Sequence, residues 1–462
     1  MSKNLILTEF LKNSEKIAFN RQHRKIINYN ISKYNEEVVK GKKQFKNLAI
    51  AKKKAAVLKY RVLSELERYL AEFEKNFEEK GGVVLWALDE RDAVKEVLNI
   101  AKKHRAKKIV KSKSMVTEEI ELNKHLEKNK IESVETDLGE FIVQQAGQTP
   151  YHIVTPAMHF SKEDVVKQFH EKFNISENSS PEDITLFVRY LLREKFQNAD
   201  IGITGANFLI ADTGSVVLTE NEGNGMLSMS LPRVHIVITG IEKIIPSIND
   251  LNLFLPLLST YATGQRLSSY NSIINGPRKD NEDDGPEFMY VILIDNKRSN
   301  LLSQTEQRRA LSCIRCGACL NACPVYKNIG GHTYNTPYSG PIGAVIAPYM
   351  IDFENYIHLS FASTLCGKCT EACPVNINLH ELLLHNRNKA VQQNIPSFYE
   401  RSSIRMMKHY MLKRHRLDGA SASLKNRMLN YFFNKSWGKR RKLPQVQQKS
   451  FKQLWIEQRN NK

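Results

Sequence analysis

Seven cysteines occur in this chain, and all lie in one 61-residue stretch from Cys313 to Cys373. They form two nested patterns. The first is Cys313-Ile-Arg-Cys316-Gly-Ala-Cys319-Leu-Asn-Ala-Cys323-Pro324, and the second is Cys366-Gly-Lys-Cys369-Thr-Glu-Ala-Cys373-Pro374. The second repeats the spacing of the first with its leading cysteine missing. A C-x2-C-x2-C-x3-C-P run wraps a loop around an iron–sulfur cubane, and where two runs occur the fourth cysteine of each ligates the other cluster. The spacing therefore predicts two clusters of the 4Fe-4S type and chemistry by single electrons.

Other uses of cysteine fit less well. Zinc ribbons separate their C-x2-C pairs by a dozen or more residues. Disulfides need an oxidising compartment, whereas the start Met-Ser-Lys-Asn-Leu-Ile-Leu-Thr lacks a basic segment followed by a long apolar one. The exchange of fourth ligands assigns Cys313, Cys316, Cys319 and Cys373 to one cluster. It leaves Cys323, Cys366 and Cys369 for the other, one thiolate short. Ser363 stands where the missing cysteine would be. Three outcomes are open there: a 3Fe-4S cluster, a 4Fe-4S cluster with the Ser363 oxygen on its fourth iron, or one whose fourth iron is open to water or a ligand. A loop hydroxyl with no metal role is equally compatible.

The chain is too long for one core, at 462 residues, and a 41% hydrophobic content suffices for globular folding. Its net charge of +19 is uneven. Residues 1–60 hold 15 Lys/Arg against 4 Asp/Glu, residues 401–462 hold 17 against 2, and 61–400 nets −7. Basic ends suit an anionic membrane surface, an acidic partner or nucleic acid. No nucleic-acid motif accompanies them, so nucleic acid is not expected. The stretch Arg401 to Arg416 alternates basic and apolar residues at helical spacing and predicts an amphipathic docking helix. A further basic cluster spans Gly438 to Lys442. No apolar run approaches the roughly 20 residues of a spanning helix. Gly340 to Pro348, the most apolar piece near the cysteines, is short and full of helix breakers. The expected location is cytoplasmic, or peripheral on the inner face of the membrane.

Periodicity divides the chain into a basic helical region (1–80), a layered α/β domain (81–300), a two-cluster domain (301–390) and a basic helical C-terminal extension (391–462). Glu65 to Lys80 reads as a long charged helix, and the Gly81-Gly82 break ends that pattern. Val83–Leu88 reads as a buried strand, Arg91–His104 as a helix, Lys108–Val110 as a strand, Thr117–Lys130 as a helix and Ile131–Glu135 as a strand. That alternation predicts a largely parallel sheet. Strands are also expected at 200–204, 234–238 and 291–295, with a hairpin turning at Asp212-Thr213-Gly214.

Two further segments carry a family resemblance. Ala199 to Gly214 looks like the core motif of the lactate-utilisation domain, and Tyr151 to His159 like its upstream segment. Joined to the cysteine motifs, including Ser363-Thr-Leu-Cys366-Gly-Lys-Cys369, and to a basic extension, the chain from about 60 to 462 resembles the iron–sulfur B proteins of the bacterial lactate-utilisation system. The resemblance implies a sugar-isomerase/CoA-transferase-like α/β fold followed by an α-helical two-cluster ferredoxin domain. It implies a part in oxidising L-lactate to pyruvate with two other proteins, and a serine in the second motif as a family trait.

The residues themselves show no G-x-G-x-x-G after a strand and no phosphate-binding P-loop, so the two-electron centre is expected on a partner subunit. Thr204, Gly205, Asp212, Thr213 and Gly214 fit either a small-anion pocket or tight turns, with turns the better reading. His152 and His159 are seven apart, as on one helix face or in separate loops, and neither is singled out as a base. His332, Tyr334 and Tyr338 are expected to cover the clusters. Three functions compete: an electron-transfer subunit, a lyase using an open iron as Lewis acid, and a non-catalytic redox scaffold. Two adjacent clusters favour the first, and the missing cysteine favours the second.

Overall fold

The computed structural model describes residues 3–437 and 442–460, so all of the Gly438–Lys442 cluster but Lys442 lies outside the described residues. The chain separates into two units, Met1–Lys389 and Ala390–Lys462. The first opens with four helices, Lys3–Ala18, Arg21–Gly41, Leu48–Ser64 and Leu66–Glu78. Asn20 and Asn47 cap the second and third, accepting from the amides of His23 and Ile50. The fourth is the charged run. It buries Leu66, Tyr69, Leu70, Phe73 and Phe77, the 3–4 spacing of a single face.

Ten strands follow: β1 Val83–Ala87, β2 Lys108–Lys111, β3 Glu132–Glu135, β4 Ile201–Thr204, β5 Phe208–Ile210, β6 Ser215–Glu220, β7 Val234–Gly240, β8 Ile244–Ile245, β9 Tyr270–Ile274 and β10 Phe288–Ile294. Six build one sheet in the order β1-β10-β7-β4-β2-β3, with every neighbouring pair parallel. Alternate residues of its central strands feed different cores. Ile236, Ile238, Tyr290, Ile292 and Ile294 pack with Ala93, Val97 and Ile100 of helix Glu90–Lys103. Val237, Met289, Val291 and Leu293 pack with Leu70, Phe73 and Phe77 of helix Leu66–Glu78. The result is the expected α/β layering, with helices on both faces of a parallel sheet.

A second sheet, β8-β5-β6-β9, contains the expected hairpin, β5 against β6, with Ile210 opposite Ser215. Gly214 closes its turn at φ +57°, and a Cβ there would meet the Asn76 and Phe77 backbone at 2.4 Å.

Several local readings need correction. β1 is an edge strand with Val83 and Trp86 exposed, because only β10 pairs with it. The helix expected over Thr117–Lys130 is two, Met115–Glu119 and Leu122–Lys128, broken where Glu121 adopts φ +47°. The break lets Glu119 face a buried arginine, Arg298, while Leu122 and Leu126 enter the core. Gly340–Met350 is a helix with all 11 residues buried. Pro341 sits in its first turn, where the missing N–H is harmless, and a Cβ on Gly343 would come within 1.6 Å of the Tyr338 carbonyl.

In the cysteine region short helices Ala318–Ala322, Pro324–Ile329, Phe353–Tyr356 and His358–Phe361 pack on the Gly340–Met350 helix, and Lys368–Ala372 packs on Ala318–Ala322. In the second unit the amphipathic stretch is interrupted. A helix Phe398–Met411 is followed by extended Lys413 and a short helix Arg414–Asp418. No described helix is long and apolar enough to cross a membrane.

Candidate iron–sulfur site

The two cysteine loops share one backbone, offset by 50 positions. Arg315 and Leu365 take φ +61° and +52°, and Gly317 and Gly367 take +72° and +80°. Cys323 and Cys373 share extended angles, φ −80° ψ 120° and φ −72° ψ 120°. In the first loop the Arg315 amide donates to Cys313 Sγ at 3.4 Å. In the second the Leu365 amide donates to Ser363 Oγ at 3.2 Å. Ser363 thus holds the place of Cys313, with the same donor two residues on. Tyr326 N donates to Cys323 Sγ at 3.5 Å and Ile377 N to Cys373 Sγ at 3.3 Å.

Short helices 318–322 and 368–372 pack together and interleave the motifs. The thiols that act on one another fall into two sets. Cys316 and Cys319 each feel Cys313 and Cys373, and Cys373 feels Cys313. Cys369 feels Cys323 and Cys366, and Cys323 feels Cys366. Burial, then mutual repulsion, pushes Cys316 and Cys319 up. Burial is also the main reason that Cys369 and Cys373 rise to about 11. Exposed Cys366 is lowered, chiefly by the Lys368 amide. Buried thiols that repel one another ionise only against a positive centre, and backbone amides already point at the sulfurs of both loops. The donor set therefore fits iron–sulfur clusters. Among the described residues no three His, Cys, Asp or Glu are disposed to hold a single metal ion.

The expected covering residues divide. Tyr334 is buried and lies in the field of Cys323 and Cys319. Tyr338 instead donates to Glu119 at 2.6 Å and stacks under Arg315 at 4.3 Å. His332 stands away from the thiols, bonded to the Thr149 carbonyl and edge-on to Tyr151. His152 and His159 are in loops, not on a helix. Burial takes both down to about 3, so they are neutral. His152 packs on the first cysteine loop, where a Cβ on Gly317 would meet its ring at 3.0 Å.

Of the α/β candidates, Thr204 bonds His235, Asp212 accepts from the Ile248 amide, and Thr213 and Gly214 belong to the hairpin turn. Gly205 lines a pocket. That cavity, about 300 Å³, opens where the chain leaves β2, β4 and β7, at the carboxyl edge of the parallel sheet. Lys113, Lys243, Arg315 and Tyr338 line it, with Asp137, Glu220 and Glu222. Burial, with Arg315 adding, lowers Lys243 to about 8. The cations escaped the sequence reading, because Lys243 and Arg315 are 72 residues apart and no local pattern joins them.

Beneath the pocket, fully buried Arg298 bonds Glu242 at 2.6 Å and Glu119 twice at 2.8 Å. Burial alone would raise Glu242, but Arg298, Arg315 and Lys243 hold it at about 2.

Comparison with known families accounts for both halves. The LUD domain family matches residues 70–294, and the 4Fe-4S dicluster domain family matches 309–377. Lactate utilization protein B of Bacillus licheniformis is 47% identical over 340 residues, 73% of this chain and 71% of that protein. The Bacillus subtilis (strain 168) protein of the same name is 47% identical over 337 residues, 73% of this chain and 70% of that one. A crystal structure of a DUF162 family protein from Deinococcus radiodurans aligns with 50% of this chain and 98% of its own at 12% identity and a TM-score of 0.25, too loose to carry an argument. With an iron–sulfur cluster domain following a LUD domain and this identity over most of both chains, the chain belongs to the lactate utilization protein B family.

Proposed function

We propose that this chain is the iron–sulfur electron-transfer subunit of an assembly that oxidises L-lactate to pyruvate. Its relatives carry lactate utilization in their names, and the two interleaved cysteine loops are the observation that carries the reading. Lactate loses two electrons and two protons in becoming pyruvate, whereas a cluster accepts one electron at a time. A two-electron centre on a partner subunit would bridge that difference. Purification with the other lactate-utilisation proteins should give lactate-dependent dye reduction and reducible cluster signals by EPR. Clusters that lactate leaves oxidised in the active assembly would refute the reading.

Cys313, Cys316, Cys319 and Cys373 would hold one cluster, and Cys323, Cys366 and Cys369 the other. Mutual electrostatic influence within each set supports this division. Ser363 would supply the fourth position of the second cluster, because its oxygen has the place and the amide donor of Cys313. A filled position argues against the Lewis-acid lyase, which needs an open iron. A serine oxygen is a harder donor than a thiolate and less suited to iron–sulfur chemistry. Air exposure is therefore expected to produce a three-iron EPR signal in the wild type and much less in Ser363→Cys. Identical stable spectra in both proteins would remove Ser363 from the site.

The second unit would dock a partner subunit or an anionic membrane surface. It carries no cysteine, and residues 401–462 hold 17 Lys/Arg against 2 Asp/Glu. Its helix Phe398–Met411 exposes Ile404, Met407 and Met411, spaced to share one face. A chain ending near residue 400 should keep its iron and lose its partners. Association of the intact chain should weaken with salt, as exposed charges are screened beyond about 8 Å at physiological ionic strength. Loss of iron on truncation would make the segment structural. A salt-insensitive complex would shift the contact to the apolar face.

A further inference from the structure

Electron transfer alone does not use the cavity at the carboxyl edge of the large sheet. Two cations in its wall are short of partners. Lys243 is 9% exposed, yet its ammonium makes no hydrogen bond or salt bridge among the described residues. The Arg315 side chain is also 9% exposed, its Nη1 has no partner, and its Nη2 reaches Glu242 only at 3.4 Å. Leaving buried charge unpaired is costly, so an anion in the cavity would complete the arrangement.

The rest of the wall has the opposite character. Lys113 is already held by the Val154 carbonyl at 2.6 Å and faces Asp137 at 3.7 Å. Glu220 accepts the amides of Gly225 and Met226, and Glu222 that of Leu138. The two groups are distinct electrostatically. Lys243 feels Arg315, Glu242, Cys313 and Arg298, whereas Glu222 feels Asp137, Lys113 and Glu220. The cationic wall adjoins the first cysteine loop, since Arg315 also donates its amide to Cys313.

We propose that this cavity binds a small hydroxycarboxylate, its carboxylate held by Lys243 and Arg315 and its hydroxyl donating to the Asp137, Glu220 and Glu222 wall. A phosphate fits less well, because its monoanion and dianion spread charge over several oxygens and would set some of it against that acidic wall. The site rests on the cavity and its charges. L-lactate is chosen as the probe on the function proposed above.

Equilibrium dialysis of the full-length, cluster-loaded chain against labelled L-lactate, acetate and inorganic phosphate tests it. L-lactate should bind saturably, and more tightly than acetate, which lacks the hydroxyl, or phosphate. Lys243→Gln, with iron content and melting temperature unchanged, should weaken lactate binding about tenfold or more, the scale of one buried charge-assisted hydrogen bond. Should that variant fail to load iron, Glu222→Gln serves instead, and is expected to shrink the preference for lactate over acetate. Absence of saturable lactate binding, tighter binding of phosphate, or full lactate affinity in a loaded Lys243→Gln overturns the site. In the last case a shifted reduction potential would assign the two cations to the cluster. If the site fails while the assembly still oxidises lactate, the electron-transfer reading stands. Saturable binding to a chain whose assembly oxidises no lactate supports the site and refutes that reading.

Discussion

Replacing Cys373 by Ala is expected to remove the cluster seated by the first motif and to spare the one beside Cys366. Along the chain Cys373 is four residues from Cys369 and 54 from Cys319. In space its influence falls on Cys316 and Cys319, and Cys313 acts on it. The Ile377 amide fixes its sulfur, so the position is built and not merely near. Iron should fall to about half, with the surviving EPR signal that of the second cluster. Cys316→Ala should give the same spectrum and Cys369→Ala the complementary one. An intact first-motif signal in Cys373→Ala, with loss beside Cys366, would show that each motif closes on its own cluster.

The cysteine loops were legible because their constraint is local. Positive φ at Arg315 and Gly317 recurs at Leu365 and Gly367, because the two loops share one cysteine spacing. The parallel sheet was legible for a related reason. β7 and β10 are buried on both faces and mostly apolar, as a central strand requires. The same rule misled at Val83–Ala87, where an apolar run sits at an edge, because a sequence does not say how many neighbours a strand has. The helix Gly340–Met350 was not foreseen, although its piece was rightly held too short to span a membrane. A fully buried helix beside close backbones uses glycine and first-turn proline, the residues that otherwise signal a break. β9 is only partly buried, and no apolar pattern marked it. The cavity and its charges were beyond reach. Arg298 finds Glu242 at a separation of 56 residues and Glu119 at 179, and no local pattern encodes such pairing.

Arg298→Met is expected to cost about 3–5 kcal/mol, because it removes the one cation shared by two buried carboxylates. Arg298 is wholly buried and spends its donors on Glu119, Glu242 and the Asp295 carbonyl. Tyr338, between the cysteine motifs, donates to the same Glu119. Gly240 leaves room for the network, since a Cβ there would meet Glu242 at 2.1 Å and Arg298 at 2.4 Å. Thermal unfolding of the cluster-loaded chain should shift down by roughly 5–10 °C. Its pH dependence identifies the cause. Wild-type Glu242 is held at about 2, below the unfolded carboxylate value of about 4.3, so its contribution is present above the unfolded value and lost as pH falls toward the folded one. Without Arg298 burial dominates at Glu242, and its carboxylate regains stability by taking up a proton. The gap between wild type and variant should therefore be narrower at pH 5 than at pH 8. Adding Glu119→Gln to Arg298→Met should recover part of the loss, because a neutral amide there leaves no stranded carboxylate, whereas Glu242 still faces Arg315. A pH-independent gap, or no recovery in the double variant, would make the loss one of packing volume and not of charge.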